Sequence, residues 1–145
     1  MTEDVRTEQS IGIDAPIDEV WAALTTPDQI EQWFLGVRTE TDWRPGSPIV
    51  HRGEYQGKPY EDVGTILEFE PPRRLVHTHW SPVSGRPNVP ESHEVVVWEL
   101  AERGAGTVLT VEESNLASEE AKATSERTWG VVLENLKGFL ESRAS

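Results

Sequence analysis

The last quarter of the chain reads as one long amphipathic helix, and whatever precedes it must supply the surface that covers its apolar stripe. Trp129, Val132, Leu133, Leu136, Phe139 and Leu140 recur at three- and four-residue spacing, the spacing of one helical face. Ser118 with Glu119 and Glu120 offers an N-cap and an acidic first turn. The first half, Glu119–Thr128, is small and polar, with only alanines for apolar residues. Gly130 and Gly138 each cost roughly 1 kcal/mol against alanine inside a helix. Such glycines mark either a close approach by a neighbour or a harmless surface position.

The covering surface is a sheet. Between Val37 and about Glu113, β-rich runs alternate with glycine, proline and asparagine: Thr39–Trp43, Ile49–Tyr55, Tyr60–Glu70, Arg74–Trp80, His93–Leu100 and Thr107–Glu112. Val5–Ile13 adds an N-terminal strand. Ser81–Pro90, with three prolines and a glycine, is a longer loop between two strands. Two short helices follow the first strand. One carries Ile17, Val20, Trp21 and Leu24 on one stripe; the other opens on a capping-box-like Thr26-Pro27-Asp28-Gln29 and carries Ile30, Trp33 and Phe34. The order is β-α-α-β6-α, an α+β fold in which a seven-stranded antiparallel sheet packs on the C-terminal helix. A strongly curved sheet on a single helix tends to leave a gap between them.

Length sets one domain over residues 1–145, with a core of about 5–142. The net charge of −13 and pI near 4.6 argue against nucleic acid or an anionic membrane as partner. No apolar run approaches the roughly 20 residues that span a bilayer, and MTEDVRTEQS has no signal-peptide core. The absence of cysteine removes disulfides and a thiol nucleophile and fits a cytoplasmic location. No nucleophile-elbow, zinc-protease, P-loop or dinucleotide motif is present, so no catalytic residue and no cofactor is assigned. Acidic pairs such as Glu61-Asp62, Glu112-Glu113 and Glu119-Glu120 read as a solvated face.

The six tryptophans ask for more than core filling, since each brings bulk and a donor N–H. Strand alternation groups Val76 with Thr78 and Trp80, Val96 with Trp98 and Leu100, Leu67 with Phe69, and Leu109 with Val111. If these sides face the helix, Trp80 and Trp98 meet Trp129 and Leu133 across a cavity, with Trp33 and Phe34 over its mouth. Either these aromatics fill a solid core or they line a ligand site, where indole N–H groups would supply polar contacts. The candidate ligand-binding set is Trp33, Phe34, His51, Leu67, Phe69, Trp80, Trp98, Trp129 and Leu133. His51 is the best single polar residue for the interior, or a weak general base, if it points inward with Ile49; otherwise it is an exposed or core-satisfied histidine. His77 and His79 fall, by this phase, on the outer face, with His93 opposite His79. Three such histidines can hold zinc, but Glu91 and Glu94 beside them favour solvated or paired imidazoles, and no metal is assigned.

Several segments resemble the START-like, or SRPBCC, superfamily, and within it the group named after the activator of Hsp90 ATPase. They are Ala15-Pro16-Ile17-Asp18-Glu19-Val20-Trp21-Ala22-Ala23-Leu24, Trp33-Phe34, Gly64-Thr65-Ile66-Leu67-Glu68-Phe69-Glu70-Pro71-Pro72-Arg73-Arg74-Leu75, Val97-Trp98-Glu99-Leu100, Gly106-Thr107-Val108-Leu109-Thr110-Val111 and Trp129-Gly130-Val131-Val132-Leu133-Glu134-Asn135-Leu136-Lys137. The resemblance implies the helix-grip (Bet v 1-like) fold with a hydrophobic cavity. Relatives bind lipids, sterols, polyketides or plant hormones, and some act as aromatase/cyclases. The co-chaperone that names the group uses a second domain, so an Hsp90-type chaperone is not expected as partner; a homodimer is compatible with the sequence. The leading expectation is a binder of a hydrophobic or amphipathic small molecule. A cyclase-like enzyme using His51, or a stress- or chaperone-linked module with an exposed apolar patch, are the alternatives.

Overall fold

The computed structural model describes residues 5–143. Its elements run β1 (Thr7–Ile13), α1 (Ile17–Thr25), α2 (Pro27–Trp33), β2 (Arg38–Thr41), β3 (Pro48–Tyr55), β4 (Lys58–Glu70), β5 (Arg74–His79), β6 (Glu94–Arg103), β7 (Gly106–Ser114) and α3 (Glu119–Arg143). The strands form one antiparallel sheet in the order β1-β7-β6-β5-β4-β3-β2. This is the α+β architecture expected from the sequence and agrees with the helix-grip fold.

Helix α3 buries Trp129, Val132, Leu133, Leu136 and Leu140 against the sheet, the face that the sequence spacing picks out. Ser118 Oγ accepts the Ala121 N–H at 3.1 Å and caps the first turn. The α3 stripe meets Val20 and Leu24 of α1, Leu109 and Val111 of β7, and Trp98 and Leu100 of β6 in one apolar cluster. Pro27 opens α2 at its first position, but Thr26 makes no side-chain cap there. Leu35 (φ 55°) and Gly36 (φ 77°) then turn the chain in the left-handed region and end the helix.

Two details of register decide which side chains look inward. Between β5 and β6, Leu75 pairs with Trp98, His77 with Val96 and His79 with Glu94. The sequence reading set His79 against His93, one residue away. A one-residue slip exchanges the two faces of a strand, so His77 and His79 face the helix side and Trp80 does not. The Ser81–Pro90 loop accounts for the difference. It folds into two 3-10 turns, Pro82–Ser84 and Pro90–Ser92, tied by Trp80 Nε1 donating to the Arg86 carbonyl at 3.1 Å and Arg86 Nη1 donating to the Asn115 carbonyl at 2.8 Å.

The second detail is a β-bulge in β4, where the register on β5 shifts between Ile66 and Glu68. The extra residue, Leu67, is left pointing outward and 46% exposed. Close approach also governs Gly64: a Cβ there would clash with the Thr78 carbonyl group. Gly130 and Gly138 face open space instead, which leaves only the helix-propensity cost. Gly138→Ala is therefore expected to stabilise the protein by about 1 kcal/mol. Gly64→Ala should destabilise it and disturb the β4–β5 pairing. Urea titration of both variants, with amide exchange across residues 62–80, checks the pair of outcomes.

Candidate functional site

A cavity of about 1150 Å³ lies between the inner sheet face, the C-terminal end of α2 and the first half of α3. The small residues noted in α3 explain the space. Ala121, Thr124, Ser125 and Thr128 line it, where larger side chains would close the gap as the apolar stripe does further along the helix.

One part of the wall is aromatic. Trp98 and Trp129 meet edge to face with centroids 5.2 Å apart. Trp33 meets Trp98 at 6.3 Å and Phe34 meets Trp129 at 6.2 Å, both T-shaped. These geometries suit the aromatic quadrupole. The indole donors of Trp33, Trp98 and Trp129 are committed within the protein, contrary to the expectation that they serve a ligand. Trp33 Nε1 donates to the Ala23 carbonyl at 2.9 Å, Trp98 Nε1 to His77 Nε2 at 3.1 Å, and Trp129 Nε1 to Glu113 Oε1 at 3.1 Å.

The other part is polar, and most of it comes from the corrected register. His51 on β3 stacks on Phe34, and its Nδ1 lies 3.0 Å from Thr39 Oγ1 on β2. Its centroid is 6.0 Å from that of His77 and 6.4 Å from that of His79. His77 donates from Nδ1 to the Thr78 carbonyl at 2.9 Å and accepts the Trp98 N–H at Nε2, which fixes it as the neutral Nδ1–H tautomer. His79 differs: Nδ1 reaches Glu94 Oε1 at 2.9 Å and Nε2 reaches Asp62 Oδ2 at 3.0 Å, so both ring nitrogens donate to carboxylates. Glu113 on β7 accepts from Trp129 and Ser125. Asp62 Oδ1 is buried and accepts no hydrogen bond among the described residues.

These partners set three different imidazoles. Burial, then the charges of its neighbours His77 and His79, lowers His51 to about 3. Burial lowers His77 to about 4. Burial also opposes charge on His79, but its hydrogen bonds and charge pairing with Asp62 and Glu94 prevail and raise it to about 10. Burial and the nearby Glu94 charge hold Glu113 above the usual carboxylate range. At neutral pH the cavity thus carries two neutral imidazoles and one imidazolium flanked by carboxylates.

Of the residues picked from the sequence, Trp33, Phe34, His51, Trp98 and Trp129 lie on the cavity wall. Trp33 is almost fully buried and forms part of the floor, not a cover over the mouth. Leu133 is buried in the adjoining core. Phe69 packs between Trp21 at 5.4 Å and Trp43 at 6.1 Å, behind the wall to which Trp43 belongs. Leu67 points out through the bulge, and Trp80 is held in the loop by Arg86. His93 is also outside, bonded to Asn88 Oδ1 at 2.8 Å. The sequence reading missed His77, His79, Asp62, Glu94 and Glu113 as wall residues. A usable signal existed for Glu113, because it continues the inward alternation of Thr107, Leu109 and Val111 in β7.

Residues 14–141 match the family described as Activator of Hsp90 ATPase homolog 1-like protein, and the chain belongs to that family. The solution structure of ChR145 from Cytophaga hutchinsonii is similar, with 38% identity, 99% of each chain covered and a TM-score of 0.84. The crystal structure of CalU16 from Micromonospora echinospora shares 32% identity, covering 94% of this chain and 75% of that one at TM-score 0.71. Protein NE0264 from Nitrosomonas europaea, at 23% identity with 97% and 96% covered and TM-score 0.77, shares the fold. Comparison with curated proteins gives no match. The fold and family support ligand binding or polyketide-cyclase-like chemistry as the class. No helix among the described residues is long and apolar enough to cross a membrane.

The imidazoles predict a pH profile. Below the unfolded pKa near 6.5, the unfolded chain binds three protons on His51, His77 and His79 where the folded chain binds one, so stability rises with pH from about 4 to 6.5. Above 6.5 the unfolded chain binds none and the folded chain keeps the His79 proton until about 10, so this contribution falls. Their joint contribution is expected to peak near 6.5, with the steeper limb on the acid side. Chemical denaturation between pH 4 and 10, compared with the His79→Gln variant, checks this: the variant should lose the alkaline limb.

Proposed function

We propose that the protein binds an amphipathic small molecule in this cavity, with an apolar, ring-bearing body against Phe34, Trp98 and Trp129 and a hydrogen-bonding end at His51 and Asp62. The observation that carries the reading is the joining of an aromatic wall to two polar residues, His51 and Asp62, each with an atom that has no partner among the described residues, around one space of about 1150 Å³. His51 Nδ1 is occupied by Thr39, which leaves Nε2 free among the described residues. Asp62 Oδ1 is buried with no donor among the described residues, and an unmet buried acceptor costs free energy that a ligand O–H or N–H would recover once the carboxylate turns to the cavity. Asp62, Glu94 and Glu113 all line the cavity, so a neutral phenol or alcohol suits it better than a carboxylate. Lack of cysteine fits the cytoplasm as the place of binding.

A cyclase-like activity is the second reading, favoured by one observation. His51 faces the cavity, and its imidazole, lowered to about 3 by burial and by His77 and His79, is too weak a base to take a proton and would act by holding a substrate or a water through a hydrogen bond.

Tryptophan fluorescence titration with a polycyclic phenol and with a fatty acid of similar size separates these ideas. The phenol is expected to bind with micromolar or lower Kd and the fatty acid at least tenfold more weakly. Phe34→Ala should weaken phenol binding several-fold and also lower stability, since Phe34 packs on Trp33, His51 and Trp129, so its affinity is measured under conditions where circular dichroism shows the variant folded. Absence of saturable quenching with either probe would overturn the binding reading. Under the enzymatic reading, His51→Ala lowers turnover of a linear polyketide mimic by more than it weakens the binding of that mimic.

A further inference from the structure

The inner faces of β5, β6 and β7 bring His79, Glu94 and Glu113 together. One ligand atom from each lies within 4.8 Å of the other two. We propose that these three residues form a binding site for a divalent transition-metal ion that opens into the cavity. The proposal goes beyond small-molecule binding and does not depend on it.

The ligand set has the chemistry such a site needs. One imidazole with two carboxylates is a borderline N/O set that suits Zn²⁺, Mn²⁺ or Fe²⁺ better than Ca²⁺. Three protein ligands leave a coordination position free, and all three residues line the cavity, so that position faces the space where a small molecule would sit. Metal-bonded distances of about 2.0–2.2 Å require the three side chains to close by a fraction of their present separation, a change within side-chain rotation.

The supports behind the ligands are also in place. A metal-binding histidine usually gives its other ring N–H to a carboxylate, which fixes the ring and strengthens it as a ligand. His79 Nε2 makes that bond to Asp62 Oδ2 at 3.0 Å, while Nδ1 is the nitrogen turned to Glu94, 2.9 Å from its Oε1. Glu113 is oriented by Trp129 Nε1 at 3.1 Å and by Ser125 Oγ. Ion pairs elsewhere in the chain, such as Arg6–Glu112 and Arg52–Glu61, are more exposed. Here two largely buried carboxylates face one imidazole, and a divalent ion balances their charge in place of the proton on His79 Nδ1.

The test is calorimetric titration of chelator-treated protein with Zn²⁺. The expected result is one ion per chain at micromolar or lower Kd, with a change in Trp129 emission because its N–H rests on Glu113. Co²⁺ added instead of Zn²⁺ should show the visible d–d absorption of inner-sphere coordination. Glu113→Gln should weaken binding by tenfold or more. Asp62→Asn, at a positioning residue, should weaken it by about 10- to 100-fold. Glu112→Gln, on the outer face beside Arg6, should leave it unchanged. No saturable one-to-one binding overturns the proposal, as does equal affinity in Asp62→Asn and Glu112→Gln, which would mark adsorption to the acidic surface. If Glu113→Gln does not fold, Asp62→Asn decides the question.

Discussion

The pairing of Leu75 with Trp98 across β5 and β6 is the constraint on which the interior depends. It puts His77 beneath the Trp98 indole and His79 beside Glu94, and it sends Trp80 into the loop. Shifting that pair by one residue would exchange an imidazole floor for an aromatic one with no change in composition. The hydrogen bond from Trp98 to His77 makes the register self-consistent: a buried indole N–H needs an acceptor, and a buried neutral imidazole needs a donor. Each satisfies the other only in the observed alignment.

Helix α3 serves the sheet in two different ways along its length. From Trp129 onward its apolar stripe closes against β1, β6, β7 and α1, and this half supplies the packing. Before Trp129 its cavity-facing surface is made mainly of small residues, Ala121, Thr124, Ser125 and Thr128, and the cavity separates it from the sheet. The cavity is therefore a result of side-chain size on one helix as much as of strand curvature. Trp129 and Glu113 sit at the joint, where the indole donor ties the packed half to the polar wall.

Much of this was legible in the residues. The three- and four-residue spacing in α3, the turn residues between strands and the stripes on α1 and α2 identify the elements, because local physics sets them. The site was less legible, since it depends on register. The Ser81–Pro90 loop carries no local mark of whether its strands pair with an odd or even offset, and two 3-10 turns settle the matter only in three dimensions. Leu67 is a similar case, because an extra residue in a strand cannot be told from an ordinary one by alternation alone. Glu113 was hidden for another reason. Its strand pattern points inward, but a carboxylate next to Glu112 invites a solvated reading, and only the donors on α3 explain its burial.

The separation of duties along α3 has an evolutionary consequence. Residues that set the volume of the cavity, such as Ala121, Thr124 and Ser125, contribute little to the buried cluster, and residues that hold the fold together lie a turn or more further on. A lineage can therefore enlarge, shrink or repolarise the chamber through substitutions in two helical turns without threatening the scaffold. Divergence in what such a protein accommodates need not wait for compensating changes in its core.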